Sequence, residues 1–220
     1  MFETIYLLVA IFGSTLAGLY DLIWTRTNVP DNLVYGFIAS GILLHGIESF
    51  YLGSFNPIIL SLQVGGLFLL FGLFMYYTGN WGGADAGILA GIGFVLPTAV
   101  SPTFFPFALS YFINLTILGA IYSILYLFYL IRQPGIQRKG LEFYKRISTS
   151  KLQVDDVIGE DLPKINIYKK KIKGLTLKDI NKIKKHKKYV IIREGIPYTI
   201  AFPIALAFTL YFGDLILFLV

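Results

Sequence analysis

Two aspartates lie where a chain of this composition is otherwise apolar. Asp21 belongs to the segment Leu19–Trp24, and Asp85 belongs to the segment Gly82–Gly87. An ionised carboxylate at the centre of a membrane-spanning helix costs about 2.5–3.5 kcal/mol or more, so each needs a reason to be there. Two acids close together can share a proton. One then deprotonates a water while the other donates to a peptide carbonyl, which is the chemistry of aspartic proteases.

The elements that position these acids are predicted to be membrane helices. The 220 residues are 55% hydrophobic and 15% charged, with a mean hydropathy of +0.67, whereas soluble domains are about a quarter charged. An ordinary soluble enzyme is excluded. The chain has no cysteine, which excludes disulfides, zinc–cysteine sites, iron–sulfur clusters and a cysteine nucleophile.

The apolar residues occur in blocks near the length of about 20 that a bilayer requires. They predict six transmembrane helices at about 4–24, 33–53, 57–78, 86–100, 104–131 and 197–219. The fourth is short, and we expect its neighbours to shield it from lipid. Gly83, Gly87 and Gly91 recur at four-residue spacing there, a pattern that favours close helix packing.

The remaining long segment is basic. Eighteen of the nineteen Lys and Arg residues lie between Arg132 and Glu194, and the nineteenth is Arg26. With six spans, both fall on the same side, which the positive-inside rule makes cytoplasmic. The predicted organisation is therefore helices one to five in 1–131, a basic cytoplasmic domain in 132–196 and helix six in 197–220, with both termini outside.

The basic segment has the pattern of a small α+β domain. Thr176 is placed to cap a helix that turns Ile180 and Ile183 inward, and Tyr189–Arg193 is typical of a strand. We expect its lysines to contact anionic lipid headgroups. Nucleic acid is not expected as a partner, because no aromatic residues interleave with the basic ones.

The predicted topology brings the two acids to one depth. Asp21 lies about 24 Å along the first helix, and Asp85 lies at the entrance to the fourth, so both are expected at the cytoplasmic boundary. Simpler roles stay open for each. Asp85 alone can cap its helix, and Asp21 alone can pair with Arg26 at the interface.

Three stretches of the chain resemble the archaeal preflagellin (prearchaellin) peptidases, relatives of the type IV prepilin peptidases among GxGD membrane aspartyl proteases. The motif around Gly82–Asp85 has Ala84 where bacterial members usually have Gly. The matching residues are Tyr20–Leu22, Thr25–Arg26 and Val29–Asn32, then Gly82–Asp85, and finally Gly174–Thr176 through Arg193–Pro197.

The resemblance implies the roles of particular residues. Asp21 and Asp85 are expected to be catalytic. Gly82 and Gly83, with Ala84, form the motif that permits close backbone approach, by another helix or by an extended substrate. No metal and no cofactor are implied. The chain lacks the N-terminal cysteine-rich region of methylating bacterial members, so peptidase activity alone is expected.

The implied substrate is a preflagellin or other type IV pilin-like precursor, cut after a Gly between its charged leader and its apolar segment. Because the peptide must be extended to be cut, helices one and four are expected to move together, with the acids apart beforehand.

Other classes of function are less well supported by the sequence. A small proton- or cation-coupled transporter would use intramembrane carboxylates, and a lipid-binding scaffold would use the basic domain. Neither accounts for two aspartates at matching depth. His45 and Glu48 stand three apart on the second span, but a metal site needs three or four ligands, so we predict a local polar pair.

Overall fold

The computed structural model describes residues 2–23, 29–140, 142–154, 156–169 and 174–218. These residues form seven α-helices and one four-stranded sheet. The helices are α1 (Phe2–Ile23), α2 (Asp31–Leu52), α3 (Asn56–Tyr77), α4 (Gly83–Val95), α5 (Phe107–Arg132), α6 (Leu177–His186) and α7 (Ala201–Phe212). The strands are β1 (Ile136–Lys139), β2 (Glu142–Ser148), β3 (Val157–Ile158) and β4 (Tyr189–Glu194).

The chain divides into two compact units. The helical unit comprises the described residues of 2–23, 29–122 and 197–218, and the basic unit comprises the described residues of 123–196. The boundary between the units falls within α5. Each unit has its own hydrophobic core.

Four helices, α1, α2, α3 and α5, are long and apolar enough to cross a membrane. Each has 22 to 26 residues, against the roughly 20 that a bilayer of about 30 Å hydrocarbon requires. They confirm the prediction of a multi-pass membrane protein. They also correspond to the first, second, third and fifth predicted spans.

The predicted fourth and sixth spans are shorter helices than the sequence indicated. α4 has 13 residues and ends at Val95, two residues before Pro97. α7 ends at Phe212 because Gly213 adopts a left-handed φ of 80°, although the sequence stays apolar beyond it. Pro and Gly end both helices where hydropathy alone shows no boundary.

α4 lies at the centre of the helical unit, as the sequence predicted. Every residue of α4 from Asp85 to Val95 is buried. A Cβ on Gly87 would lie 2.1 Å from Val34, and one on Gly91 would lie 2.3 Å from Phe37. The small residues of α4 therefore allow α2 to pack directly against its backbone.

The basic unit confirms the predicted small α+β part. Its sheet is antiparallel with the strand order β1-β2-β4-β3. The Thr176 hydroxyl accepts the N–H of Asp179 and so caps α6, which buries Ile180 and Ile183. β4 is the strand that Tyr189–Arg193 indicated, one residue longer.

Candidate active site

Asp21 lies in the last turn of α1, near its carboxyl end. Its side chain is partly buried. Oδ2 accepts a hydrogen bond of 3.1 Å from the main-chain N–H of Thr199. Because a main-chain N–H can only donate, this oxygen of Asp21 is held as an acceptor.

Asp85 lies in the first turn of α4 and is buried. Its Oδ2 accepts the N–H of Gly82 at 3.0 Å, which caps the helix. Its Oδ1 accepts the hydroxyl of Thr199 at 2.8 Å. The helix-capping role that the sequence left open is therefore present, and it uses only one of the two carboxyl oxygens.

Thr199 joins the two acids. It lies in a 3-10 helix, Tyr198–Ile200, that leads into α7, and it is 2% exposed. One residue of the 3-10 helix before α7 thus contacts a carboxyl group from α1 and another from α4. Among the hydrogen bonds of the described residues, none joins Asp21 directly to Asp85.

A glycine on α1 lets this junction come close. A Cβ on Gly18 would lie 3.0 Å from the Cα of Ile200 and 3.3 Å from Pro203. Gly18 precedes Asp21 by three residues, so both lie on the same face of α1. The missing side chain allows the 3-10 helix to reach Asp21.

Aromatic rings enclose the site on the side of α7. The Tyr198 ring lies 5.5 Å from the Trp81 ring and 5.9 Å from the Phe202 ring, and Trp81 also contacts Phe71 edge-on at 5.7 Å. Such contacts fix ring positions and keep the surroundings apolar. They therefore fix the position of Tyr198, the residue that precedes Thr199.

The motif glycines before Asp85 are uncrowded. A Cβ on Gly83 would meet only the Tyr76 ring, at 3.8 Å, and one on Gly82 only the Asp85 carboxyl, at 3.3 Å. Among the described residues, no helix backbone lies against them, so close approach by another helix occurs at Gly87 and Gly91 instead. Approach by an extended substrate stays a prediction, and Ala84 packs at the edge of the apolar core.

Neither acid has a cationic neighbour in the part of the chain that the structure describes. Arg26, the partner that the alternative role of Asp21 would need, lies outside the described residues. The described hydrogen-bond donors that face the two carboxyl groups are the main-chain N–H and the hydroxyl of Thr199 and the main-chain N–H of Gly82.

The other polar residues of the helical unit hold helices together. His45 contacts Glu48 at 3.2 Å, and Tyr6 donates to the same carboxylate at 2.6 Å. Asn114 joins α5 to α7 through the Thr209 hydroxyl at 2.9 Å. No group of three or more potential metal ligands is found among the described residues, and His45 with Glu48 is the local pair that the sequence predicted.

Thr199 and Gly18 were missed by the sequence reasoning. Thr199 lies two residues after Arg193–Pro197, the last stretch that resembles the family. Gly18 carried a usable signal, since a glycine three residues before a membrane aspartate marks a face open to close approach.

Comparison with known proteins points in one direction. No family model matches the chain. A preflagellin peptidase of Methanococcus voltae is 29% identical over 149 residues, which cover 62% of this chain and 62% of the relative. The chain thus matches less than two thirds of the length of that relative. This similarity supports a family relationship between the chain and the preflagellin peptidases.

Proposed function

We propose that the chain is a membrane aspartyl endopeptidase whose catalytic groups are Asp21 and Asp85. The observation that supports the proposal is the position of Thr199. It contacts both carboxyl groups, although Asp21 and Asp85 are 64 residues apart in sequence. A pair of acids linked in this way, in a site without a neighbouring cation among the described residues, is suited to sharing one proton.

The dyad supplies a base and an acid. The ionised carboxylate takes a proton from a water, whose oxygen attacks the peptide carbonyl carbon. The protonated carboxyl donates its proton to the carbonyl oxygen, giving a neutral tetrahedral diol. The carboxyl that took the proton from water then passes it to the amide nitrogen, while the other carboxylate takes a proton from one hydroxyl of the diol. The C–N bond breaks, and the pair again holds a single proton.

The substrate class follows from the related peptidase. Its name describes an enzyme that acts on preflagellin, and we propose that this chain removes the short leader of a preflagellin or pilin-like precursor. A site at the membrane boundary can reach a charged leader just before an apolar helix. No cofactor takes part in the proposed reaction.

The proposed topology follows the sequence. The four long helices, together with α4 and the apolar segment Tyr198–Phe212, form six membrane segments in the divisions 1–131, 132–196 and 197–220. Asp21 and Asp85 lie at the cytoplasmic face, with both termini outside. The basic segment faces the cytoplasm and contacts anionic headgroups.

The test is cleavage of a purified preflagellin by the detergent-solubilised protein. Wild type should release the leader, and Asp21→Asn and Asp85→Asn should each lower the rate by about 10²–10⁴-fold, because each removes a general acid or base. Asp161→Asn is the matched control, since this exposed residue of the basic unit bonds, among the described residues, only the main-chain N–H of Lys169. Undiminished cleavage by either dyad variant would refute the assignment.

A further inference from the structure

We propose that Thr199 is a positioning residue for the two carboxyl groups. Its hydroxyl holds Asp85 while its main-chain N–H holds Asp21. The inference deepens the proposed function and rests on it, and one arm of the test below is independent of peptide cleavage.

The two hydrogen-bonding groups of Thr199 differ in the protonation states that they allow for the carboxyl groups they bind. The N–H always donates, so it requires an unprotonated oxygen on Asp21. The hydroxyl can donate to an ionised Asp85 or accept from a protonated one, because it carries one hydrogen and two lone pairs. Thr199 therefore keeps a hydrogen bond to Asp85 at Oδ1 in either protonation state. A dyad that exchanges protons requires this adaptability during its cycle.

The backbone of Thr199 is fixed from both sides. Tyr198, the preceding residue, packs against the Trp81 and Phe202 rings. Ile200, the following residue, lies against α1 at Gly18. Thr199 itself is buried, so its two donors keep their directions without help from solvent. Preorganised donors of this kind need no reorganisation when charge develops.

Among the residues that the structure describes, few titratable groups lie near the junction. Asp21 and Tyr20 lie on α1, Asp85 lies on α4, and Tyr198 lies beside Thr199. The described part of the helical unit contains no Lys or Arg, so the described groups that favour one protonation state of the two acids over the other are hydrogen-bond donors. Removing the Thr199 hydroxyl should therefore act on the balance between those states.

The first arm of the test measures cleavage of a preflagellin by two variants. Thr199→Val keeps the side-chain shape and the N–H but lacks the hydroxyl, and Thr199→Ser keeps both donors. We expect kcat of Thr199→Val to fall by about 10–100-fold, the usual effect of losing a hydrogen bond to a charged group. KM should change less than about threefold, and Thr199→Ser should stay within about threefold of wild type.

The pH dependence separates positioning from a merely structural role. The bond from the hydroxyl to an ionised Asp85 is stronger than its bond to a protonated one, because the former is charge-assisted. Loss of the hydroxyl therefore disfavours the ionised carboxylate, so the acidic limb of the kcat profile should move to higher pH in Thr199→Val and stay in place in Thr199→Ser. Thr116→Val is the matched control, because in the described part of the chain its exposed hydroxyl bonds only the carbonyl of Phe112 in its own helix. That variant should show neither change.

The second arm is an infrared titration of the carboxyl bands without substrate. The bands of the dyad are those that disappear in Asp21→Asn or Asp85→Asn. Their midpoint should lie at higher pH in Thr199→Val than in wild type or Thr199→Ser. If the Val variant does not fold, Thr199→Ala supplies the same loss of hydroxyl. This arm decides the role of Thr199 even if no precursor is cut, so the two proposals fail separately.

Two results would overturn the proposal. Wild-type midpoints and wild-type kcat in the hydroxyl-free variants would show that the hydroxyl does not govern the dyad. A higher kcat in Thr199→Val would show instead that Thr199 obstructs the site at rest.

Discussion

The carboxylates of the two units are stabilised in opposite ways. In the helical unit, Asp85 accepts from hydroxyl and main-chain N–H groups, and Glu48 contacts the Tyr6 hydroxyl and the His45 ring. The described residues of that unit contain no Lys or Arg. In the basic unit, Glu142 pairs with Lys169, and Glu160 pairs with Lys187. Asp85 is buried and Glu48 is partly buried, with the buried Tyr6 and His45 as its partners, whereas the lysines of the second set are exposed.

This difference determines how much stability the protein should lose when a carboxylate and its partner no longer bond. Water can replace a lost partner at an exposed ion pair, so such pairs usually contribute little to stability. Water does not reach a buried carboxylate, and an unpaired polar group there retains its full desolvation penalty. Individual residues of the helical unit should therefore have large effects, and those of the basic unit small ones.

The largest effect on stability is expected at Glu48. Its carboxylate contacts the hydroxyl of Tyr6 and Nδ1 of His45, while Nε2 of His45 contacts the carbonyl of Val95. A carbonyl only accepts, so Nε2 is the donor in the contact with Val95 and Nδ1 faces Glu48. Glu48→Leu leaves two buried groups unpaired and should lower the free energy of unfolding by about 2–4 kcal/mol.

Reversible unfolding in detergent micelles measures this loss. Glu48→Gln is the matched control, since its amide can still bond both neighbours, and it should cost less than about 1 kcal/mol. Cleavage per folded molecule should stay near wild type in both, because Tyr6 lies about 22 Å along α1 from Asp21. Equal stability of Glu48→Leu and wild type would remove the distinction between the units.

A smaller effect, on activity, is expected at Gly18. In Gly18→Ala the new Cβ lies 3.0 Å from the Cα of Ile200, so the 3-10 helix must move by a few tenths of an ångström. Because Thr199 adjoins Ile200, we expect kcat to fall by about 5–20-fold, since small displacements in a dyad are costly. Stability should change little, as the gain in helix propensity offsets the crowding.

Gly66→Ala controls for helix propensity, because a Cβ on Gly66 meets no atom within 4 Å. Cleavage rates of the two variants, measured beside their unfolding free energies, separate displacement of the site from general destabilisation. Should Gly18→Ala cut at the wild-type rate, the close packing against α1 would not position the dyad.

Local patterns in the sequence predicted the local parts of the fold. Apolar length identified the long helices, and the glycine repeat of α4 indicated its burial. Thr176 predicted the start of α6, because a capping side chain bonds residues only three positions away. Asp21 and Asp85 could be identified because a carboxylate in an apolar membrane segment is energetically costly in any fold. Some structural or functional role must offset that cost.

The partners of those residues could not be predicted in the same way. Thr199 is a neutral residue in an apolar segment, and its bond to Asp21 spans 178 positions. The end of α7 was missed because Gly213 turns the chain by a backbone conformation, to which hydropathy is insensitive. Long-range contacts and φ angles arise from packing, which one sequence does not display.

The smallest effect is expected at Glu142. Hydrogen bonds from the Tyr144 hydroxyl and from Lys169, with Arg193 nearby, lower the pKa of Glu142 to about 2. A lowered pKa in the folded state stabilises that state above the unfolded value near 4.5, and the contribution disappears as pH falls toward 2.

Hydrogen exchange of β2 amides, measured between pH 2 and 7, tests this sign. Glu142→Gln should reduce protection at pH 7 by less than about fivefold, because the pair is partly exposed. After correction for intrinsic exchange, the difference from wild type should vanish near pH 2, and 1 M salt should shrink it at pH 7. Tyr144→Phe, which keeps the ring and removes the first donor, should show part of the same loss. If the substitution at Glu142 lowered stability as much as the substitution at Glu48, water would not be replacing the lost partners of Glu142. The two units would then differ only in the charge of the groups that bind their carboxylates.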